Sequence, residues 1–312
     1  MIKTVLFNPS IDVYYKISKF GVQTTFTSLE SSAFPAGKAI NFAKAVKVLG
    51  EDVEVLGTVA KDDASKFQRF LDKKKIFHNL HVTQGYTRIN TTVFEEESRL
   101  TYHFNSENAD CTPHESEFLA FCESLPAQIL SGDFVAFSGS VQKGLDKEIY
   151  KKLIEECKKR NAKTALDTRD EPLKYGIAAT PLVVKPNERE LGVLFSDEIK
   201  GLRHIILKAK RLLDSGIKFV FVTLGKNGAV AINGDECLLV SPPEIPNQVN
   251  TVGCGDAFLA GAVVGIMRNF PFDEICRLAV SCGAANSLSH EPGDINKDMI
   301  WRIMEKVKTE SV

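Results

Sequence analysis

Short runs of apolar and β-branched residues recur along the chain and predict buried strands. They lie at residues 4–7, 53–59, 134–138, 163–167, 182–185 and 219–223. Apolar residues at helical spacing separate these runs and predict helices at residues 40–49, 65–74, 115–125, 145–159, 202–213, 256–267 and 272–288. Strands that alternate with helices are typical of a mostly parallel sheet covered on both faces. The pattern therefore predicts a three-layer α/β fold.

Two regions, at residues 12–35 and 86–105, depart from this alternation. Both alternate polar with apolar side chains, many of them β-branched or aromatic, and neither shows a helical period. We interpret them as antiparallel strands that pair into one small β lid over the main domain. Such a sheet has edges and an apolar face that either the active site or a second subunit would cover, which suggests a homodimer through the lid. Residues 1–312 are interpreted as a single domain.

Composition narrows the functional classes. The 39 Lys and Arg nearly balance the 40 Asp and Glu, so the basic surface expected of a nucleic-acid-binding protein is missing. No apolar run has the length of a membrane span, and the first residues do not have the pattern of a signal peptide. The seven cysteines include no C-x-x-C pair, and the six histidines show no metal-binding spacing. We expect a cytoplasmic protein with neither nucleic-acid nor membrane partners.

The most informative segment is N-T-V-G-C-G-D-A-F at residues 250–258, which opens a helix of small and apolar residues. Backbone amides of residues 253–256 at a helix N-terminus can converge on an anion such as a phosphate. A carboxylate at the same helix start, that of Asp256, can take a proton from a hydroxyl that attacks phosphorus. The alternative is that Asp256 merely caps the helix.

The segment is not a dinucleotide fingerprint, because G-x-G-x-x-G would need a glycine at Phe258. It resembles instead the C-terminal signature T-x-G-x-G-D of the ribokinase-like, or PfkB, sugar kinases. The resemblance extends over essentially the whole chain, with N-P-S-I-D at residues 8–12 and A-G-K-A-I-N at residues 36–41. It implies the ribokinase-like fold, with Asp256 as the catalytic base and an oxyanion-type site made by Gly253, Cys254 and Gly255.

By this resemblance the sugar lies close to the lid. Asp12 and Asn41 are expected to hydrogen-bond sugar hydroxyls, and the backbone at Gly37 is expected to approach the sugar. Lys38 would bind a phosphate that the sugar already carries. Ala36 and Ala39 replace two glycines that are usual in this motif, so the substrate preference is open to change.

Two further segments resemble the subgroup that acts on phosphorylated ketohexoses. In T-R-I-N at residues 87–90, Arg88 would grip the existing phosphate with Asn90 beside it. An arginine on a lid strand is otherwise often only solvated. In S-G-S, which follows a predicted strand, the hydroxyls of Ser138 and Ser140 would hold the substrate.

The nucleotide side is implied by K-P-N-E-R-E-L at residues 185–191. Lys185 would reach the phosphates of ATP, while Asn187 and Glu190 would organise Mg²⁺ largely through water. Asn187 could equally cap the following helix. The remaining contacts are expected from T-L-G-K-N-G at residues 223–228 and from S-C-G-A-A-N at residues 281–286, which resembles a helix flanking the adenine site with Asn286 as its polar contact. A buried helix-packing role for the small residues of this second segment is equally open. The residues concerned are Thr223, Gly225, Gly228 and Asn286.

The resemblance implies transfer of a phosphoryl group from ATP to a hydroxyl of a ketohexose phosphate, with fructose 1-phosphate to fructose 1,6-bisphosphate as the leading case. Tagatose 6-phosphate and fructose 6-phosphate are alternative acceptors because the same anchors would bind them. A non-catalytic sensor of sugar phosphates or nucleotides is an alternative of another class. A nicotinamide-dependent dehydrogenase is a third, against which the missing fingerprint speaks.

Overall fold

The computed structural model describes residues 1–22, 25–106, 115–142, 144–234, 236–246 and 248–312. Its strands are β1 (Ile2–Leu6), β2 (Ser10–Ile17), β3 (Glu30–Ala36), β4 (Val53–Ala60), β5 (Phe77–Thr83), β6 (Arg88–Glu95), β7 (Leu100–Phe104), β8 (Phe134–Ser138), β9 (Lys163–Asp167), β10 (Val183–Val184), β11 (Phe219–Thr223), β12 (Ala229–Asn233), β13 (Glu236–Ser241) and β14 (Lys308–Ser311). Its helices are α1 (Lys38–Val48), α2 (Ala64–Lys73), α3 (Glu115–Ser124), α4 (Ile149–Lys159), α5 (Asp170–Ala178), α6 (Glu188–Phe195), α7 (Leu202–Asp214), α8 (Cys254–Met267), α9 (Phe272–Asn286) and α10 (Lys297–Met304).

The main sheet has ten strands in the order β14-β13-β12-β11-β10-β9-β8-β1-β4-β5. From β5 to β11 all neighbours are parallel, whereas β12, β13 and β14 add an antiparallel edge. Because parallel strands present their carboxyl ends at one edge, the loops after β1, β8, β9, β10 and β11 meet there. The α/β fold predicted from the sequence is confirmed.

Two hydrophobic clusters cover the opposite faces of this sheet. Side chains alternate between the faces along each strand, so that Val5 of β1 belongs to one cluster and Leu6 to the other. Both side chains are almost completely buried, and burial of an aliphatic side chain contributes about 1.5–3 kcal/mol relative to exposure. The packed helices and sheet therefore fix the positions of the loops at the carboxyl ends of the strands.

A second sheet has four strands in the order β3-β2-β6-β7 and corresponds to the expected lid. Its outer pairs, β2 with β3 and β6 with β7, are antiparallel, but the central pair β2 and β6 is parallel. The parallel pair joins two separate chain segments that leave the main sheet in the same direction. Residues 23–24, within the first segment assigned to the lid, lie outside the described residues.

The register of the lid gives it two different faces. Asp12 lies beside Asn90, whereas Ile89 lies beside Ile11, one position away and therefore on the opposite face. Phe104 pairs with Thr91 and so shares the face of Ile89. The face of Asp12 and Asn90 thus combines polar groups with the buried Phe34 and Phe94, whereas the opposite face exposes Ile89 and Phe104. Among the described residues, no helix has both the length and the apolar character needed to cross a bilayer.

Candidate active site

Helix α8 begins at the carboxyl edge of the main sheet with a glycine turn. Gly253 is its N-cap and has a φ of 81°, a left-handed conformation that glycine adopts without steric cost. Cys254, Gly255 and Asp256 form the first turn, where backbone N–H groups lack intrahelical acceptors and the helix dipole is positive. The turn is held from outside by Asn286, whose Nδ2 donates to the Val252 carbonyl oxygen at 2.8 Å. This arrangement suits an anion.

The Asp256 carboxylate is almost completely buried in this turn. Its Oδ2 accepts a hydrogen bond of 2.9 Å from Nδ2 of Asn41 in α1. Burial raises the pKa of Asp256 to about 6, although Lys38 and the Asn41 hydrogen bond oppose the rise. A carboxylate with such a pKa is ionised at neutral pH and remains basic enough to accept a proton.

A second buried carboxylate, that of Asp167 at the end of β9, joins the two lysines of the site. Asp167 is 1% exposed, and its oxygens lie 3.0 Å from Lys185 Nζ and 3.4 Å from Lys38 Nζ. Burial opposes ionisation of Asp167, but Lys185 and Lys38 outweigh it and the pKa of Asp167 is lowered. The sequence motifs did not identify Asp167, although its place as the last residue of a buried parallel strand could have indicated it.

The two lysines that pair with Asp167 have different positions in the site. Lys185 is buried, and its Nζ lies 3.2 Å from the position that a Cβ on Gly255 would take, directly over the first turn of α8. Lys38 is 43% exposed at the mouth of the site. Burial opposes the charged form of Lys38, yet its pKa is raised by nearby carboxylates. These carboxylates are Asp167, Asp256 and Glu190.

The lid contributes a polar cluster to the same space. Asn90 Nδ2 donates to Asp12 Oδ1 at 2.9 Å, and Ser10 Oγ donates to the same oxygen at 2.8 Å. Within the described part of the chain, the buried Oδ1 of Asn90 has no hydrogen-bond partner and is therefore available to accept one. Arg88 is half-buried beside this cluster and donates from Nη2 to the Asn8 carbonyl oxygen at 3.4 Å.

The S-G-S segment at residues 138–140 contacts both the Asp167 carboxylate and the residues that lead into the lid. Ser140 Oγ accepts from Asn8 Nδ2 at 3.1 Å, while the buried Ser138 Oγ lies 3.5 Å from Asp167 Oδ2. Gly37 precedes α1 and its Cα packs close to the Asn8 and Pro9 backbone. Ala39 belongs to the hydrophobic core, so its methyl group gives no support to the expected change of substrate preference.

The α8 turn also borders a cavity of about 520 Å³. This volume is in the range of small-molecule binding sites. Thr223, Gly225 and Gly228 line it together with Cys254 and Gly255, so five of the predicted residues meet here. The remaining lining residues are Lys226, Asn227, Pro242, Pro243, Glu244, Ile245, Gln248, Thr251, Phe258, Val280, Gly283, Ala284 and Ser287.

Asn286 does not have the position expected for an adenine contact. Its side chain is completely buried, where it donates to the Val252 carbonyl oxygen and accepts from the Gly293 amide at 2.7 Å. Both ends of the amide are therefore used within the protein. The structure favours the packing role that the sequence left open, with the added effect of fixing the turn before α8.

Asn187 and Glu190 form a capping box at the start of α6. Asn187 Oδ1 accepts from the Glu190 amide at 2.8 Å, and Glu190 Oε2 accepts from the Asn187 amide at 2.9 Å. Among the described residues, no group of three His, Cys, Asp or Glu side chains is arranged to hold a metal ion. Magnesium that keeps most of its water and phosphate ligands needs only one or two carboxylates, and the charge of Glu190 acts on Lys38 across the site. These residues fit such an ion.

Comparison with known proteins gives concordant matches. Residues 9–298 match the family model described as pfkB family carbohydrate kinase. The chain is 29% identical over 310 residues to 1-phosphofructokinase of Haemophilus influenzae, which covers 98% of this chain and 96% of that protein. It is 30% identical over 272 residues to 1-phosphofructokinase of Escherichia coli, which covers 87% of this chain and 86% of that one.

Solved structures agree with these matches. Phosphofructokinase-2 from Escherichia coli, both in complex with fructose-6-phosphate and in a tetrameric inhibited form, superposes with a TM-score of 0.88. Each structure is 25% identical in sequence and covers 98% of both chains. The similarity therefore includes both sheets and the start of α8.

Proposed function

This chain belongs to the pfkB family of carbohydrate kinases and is an ATP-dependent sugar-phosphate kinase, and on that premise we propose that its acceptor is a ketohexose phosphate. The leading reaction is conversion of fructose 1-phosphate to fructose 1,6-bisphosphate. The observation that carries the proposal is the buried Asp256 carboxylate, with a pKa of about 6, in the first turn of α8. The curated relatives named 1-phosphofructokinase support the choice of sugar.

In this proposal Asp256 is the catalytic base. It accepts the proton from the sugar hydroxyl while the hydroxyl oxygen attacks the terminal phosphorus of ATP and ADP leaves. The backbone amides of Gly253, Cys254 and Gly255 donate to the oxygens of the transferred group, where negative charge must be stabilised. The positive end of the α8 dipole acts in the same direction.

The nucleotide occupies the cavity beside the α8 turn. The backbone near Thr223, Gly225 and Gly228 lines its wall, and the Lys185 ammonium balances the charge of the phosphates. Glu190 and Asn187 would hold Mg²⁺ through water, and the ion would supply further positive charge to the phosphates.

The acceptor lies between the lid and the carboxyl edge of the main sheet. Its existing phosphate binds to Lys38 and Arg88, a point charge and a planar fork that together suit a dianion. The sugar hydroxyls bind to polar groups on the lid and the facing loops, with the Gly37 backbone close to the ring. These groups are Asp12, Asn41, Asn90, Ser138 and Ser140. The lid covers the reacting groups and excludes water, which would otherwise compete as acceptor.

The whole chain acts as one domain, and a second copy covers the outer face of the lid. Ile89 and Phe104 lie on this face and are 53% and 58% exposed. Exposed apolar groups on the unpaired face of a small sheet are typical of a protein interface. We therefore include a homodimer through the lid. The free thiols of the six described cysteines agree with a cytoplasmic location.

Fructose 6-phosphate is the second candidate acceptor, because a similar structure was solved with that sugar. The same anchors would bind either sugar, or tagatose 6-phosphate, with a different hydroxyl facing Asp256. The test is ADP release from Mg-ATP with each of these sugars and with unphosphorylated fructose. Turnover of one sugar phosphate that falls by roughly two or more orders of magnitude in Asp256→Asn supports the proposal.

The matched control is Asp298→Asn, because Asp298 also lies in the first turn of a helix but is exposed, in α10 rather than α8. It should retain wild-type turnover. Binding of nucleotide or sugar phosphate without turnover of any sugar phosphate would reject the proposed acceptor class.

A further inference from the structure

The Asn41 amide and the Asp256 carboxylate form a buried hydrogen bond between helices α1 and α8. Nδ2 of Asn41 lies 2.9 Å from Oδ2 of Asp256, and the two residues are 4% and 3% exposed. Resting on the proposed role of Asp256 as base, we propose that Asn41 is a positioning residue that orients this carboxylate and keeps it ionised at neutral pH. This role differs from the sugar contact expected from the sequence.

The backbone of Asn41 is fixed from two sides. Its own amide donates to the Gly37 carbonyl oxygen at 3.0 Å within the first turn of α1. Gly293 packs against it so closely that a Cβ at that position would clash with the Asn41 carbonyl oxygen. Gly293 is itself held, because its amide donates to Oδ1 of the buried Asn286. These contacts therefore fix the backbone position from which the Asn41 side chain extends.

This contact distinguishes the two oxygens of the carboxylate. Oδ2 of Asp256 already accepts from the Asn41 amide, so Oδ1 is the oxygen with more acceptor capacity left for the proton of the substrate hydroxyl. A carboxylate held by one such bond also keeps one side-chain rotamer, which preserves the geometry required for proton transfer.

The same hydrogen bond acts on the charge state of the base. Burial raises the pKa of Asp256, and Asp167 raises it further by like charge. Lys38, Asn41 and Lys185 oppose the rise. A donor to the charged form favours ionisation, so removal of the Asn41 amide should raise the pKa of Asp256. A hydrogen bond to an ionised group corresponds to a shift of about one to two pH units.

The first test is the pH profile of kcat/KM in wild type and in Asn41→Leu, which keeps a similar side-chain size without the donor. The acid limb should move to higher pH by about one to two units, while activity on the alkaline plateau is partly retained. Asn90→Leu is the matched control, because Asn90 donates to Asp12 on the lid rather than to Asp256. It should raise KM for the sugar phosphate and leave the acid limb at its wild-type position.

An increase in KM with an unshifted acid limb in Asn41→Leu would overturn the proposal and restore Asn41 to sugar binding alone.

A second measurement needs neither this variant nor a substrate. Side-chain amide resonances of wild-type protein labelled with ¹⁵N-asparagine should include one, assigned to Asn41, that titrates with a midpoint near the pKa of about 6 of Asp256. The titration should vanish in Asp256→Asn.

An Asn41 resonance that does not respond to pH in wild type would equally overturn the proposal. The two measurements separate this inference from the proposed function. If no sugar phosphate is turned over, the acceptor assignment fails, whereas the amide titration still decides whether Asn41 controls the Asp256 carboxylate.

Discussion

Lys185 and Asp167 form a buried ion pair at the carboxyl edge of the main sheet, with Nζ and Oδ1 3.0 Å apart and side chains 5% and 1% exposed. Asp167 also lies 3.4 Å from Lys38, so one carboxylate offsets the charges of two lysines. In the proposed site these lysines serve different substrates. On this proposal, Asp167 links the lysine that faces the nucleotide to the lysine that faces the sugar phosphate.

Asp167→Asn should lower stability and weaken the binding of both substrates. The substitution leaves the buried Lys185 without its counter-charge, and loss of one partner of a buried pair costs about 3–5 kcal/mol. We expect a fall of that order in the free energy of unfolding, measured by urea denaturation, together with higher KM values for ATP and sugar phosphate.

The control is Asp133→Asn. Asp133 is also buried, and it pairs with the amino terminus and with Lys3 away from the site. It should lose stability but keep wild-type KM values. Equal kinetic losses in both variants would mean that Asp167 acts only through stability.

The activity should increase as pH rises through about 6, because Asp256 must be ionised to accept a proton. The pH dependence of stability has the opposite sign. The pKa of Asp256 is raised from 3.8 in folding, so ionisation of the buried group destabilises the protein as pH increases from about 4 to above 6.

Asp256→Asn should therefore be inactive yet more stable than wild type at pH 8, by roughly 1–3 kcal/mol, with the difference disappearing near pH 4. Urea denaturation at the two pH values measures this. If the variant is less stable than wild type at both pH values, ionisation of the Asp256 carboxylate does not destabilise the folded protein.

Gly255→Ala should weaken ATP binding. A Cβ at this position would lie 3.2 Å from Lys185 Nζ, so the ammonium must shift away from the proposed phosphate-binding turn. We expect kcat/KM for ATP to fall by about tenfold, which corresponds to ~1.4 kcal/mol. The neighbouring Cys254→Ala should remain within a few-fold of wild type, because the backbone amide rather than the thiol faces the anion. A large loss in Cys254→Ala would contradict this assignment.

Charge placed on the outer face of the lid should separate the proposed dimer. The double substitution Ile89→Lys and Phe104→Lys puts like charges at two neighbouring exposed positions of β6 and β7. Sedimentation velocity should show a dimer for wild type and a monomer for the variant. Leu130→Lys, at an apolar residue 66% exposed outside the lid, should remain dimeric. A monomeric wild type would reject the interface.

Much of the main sheet could be predicted because its strands are buried on both faces. Apolar residues form the majority of β1, β4, β8 and β11, and strands rich in apolar residues are typical of a parallel sheet. The seven predicted helices are likewise present. Strand β5 was missed because it lies at the edge of the sheet, where Phe77 and Val82 are exposed beside polar residues.

Pairing within the lid could not be predicted in the same way. A period of two assigns side chains to faces but gives neither the partner nor the direction of a strand, so the parallel pair β2 and β6 was not foreseen. The roles of Asp167 and Asn286 also depend on contacts between distant elements. Motifs identified the residues around the α8 turn. The residues that hold this turn in place could be identified only from the folded structure.

The separation of Asn41 and Asp256 by 215 residues has a consequence for biogenesis. A nascent chain can form β1, α1 and β4 soon after synthesis, because these elements are close in sequence. The carboxylate of Asp256, the proposed base, reaches Asn41 only when α8 docks against α1, after most of the chain has been synthesised. Contacts of such long range are slow to form, so recovery of activity during refolding should lag behind recovery of helical structure. A chain that ends before α8 would lack Asp256 and, on the proposed role of this residue, would transfer no phosphoryl group.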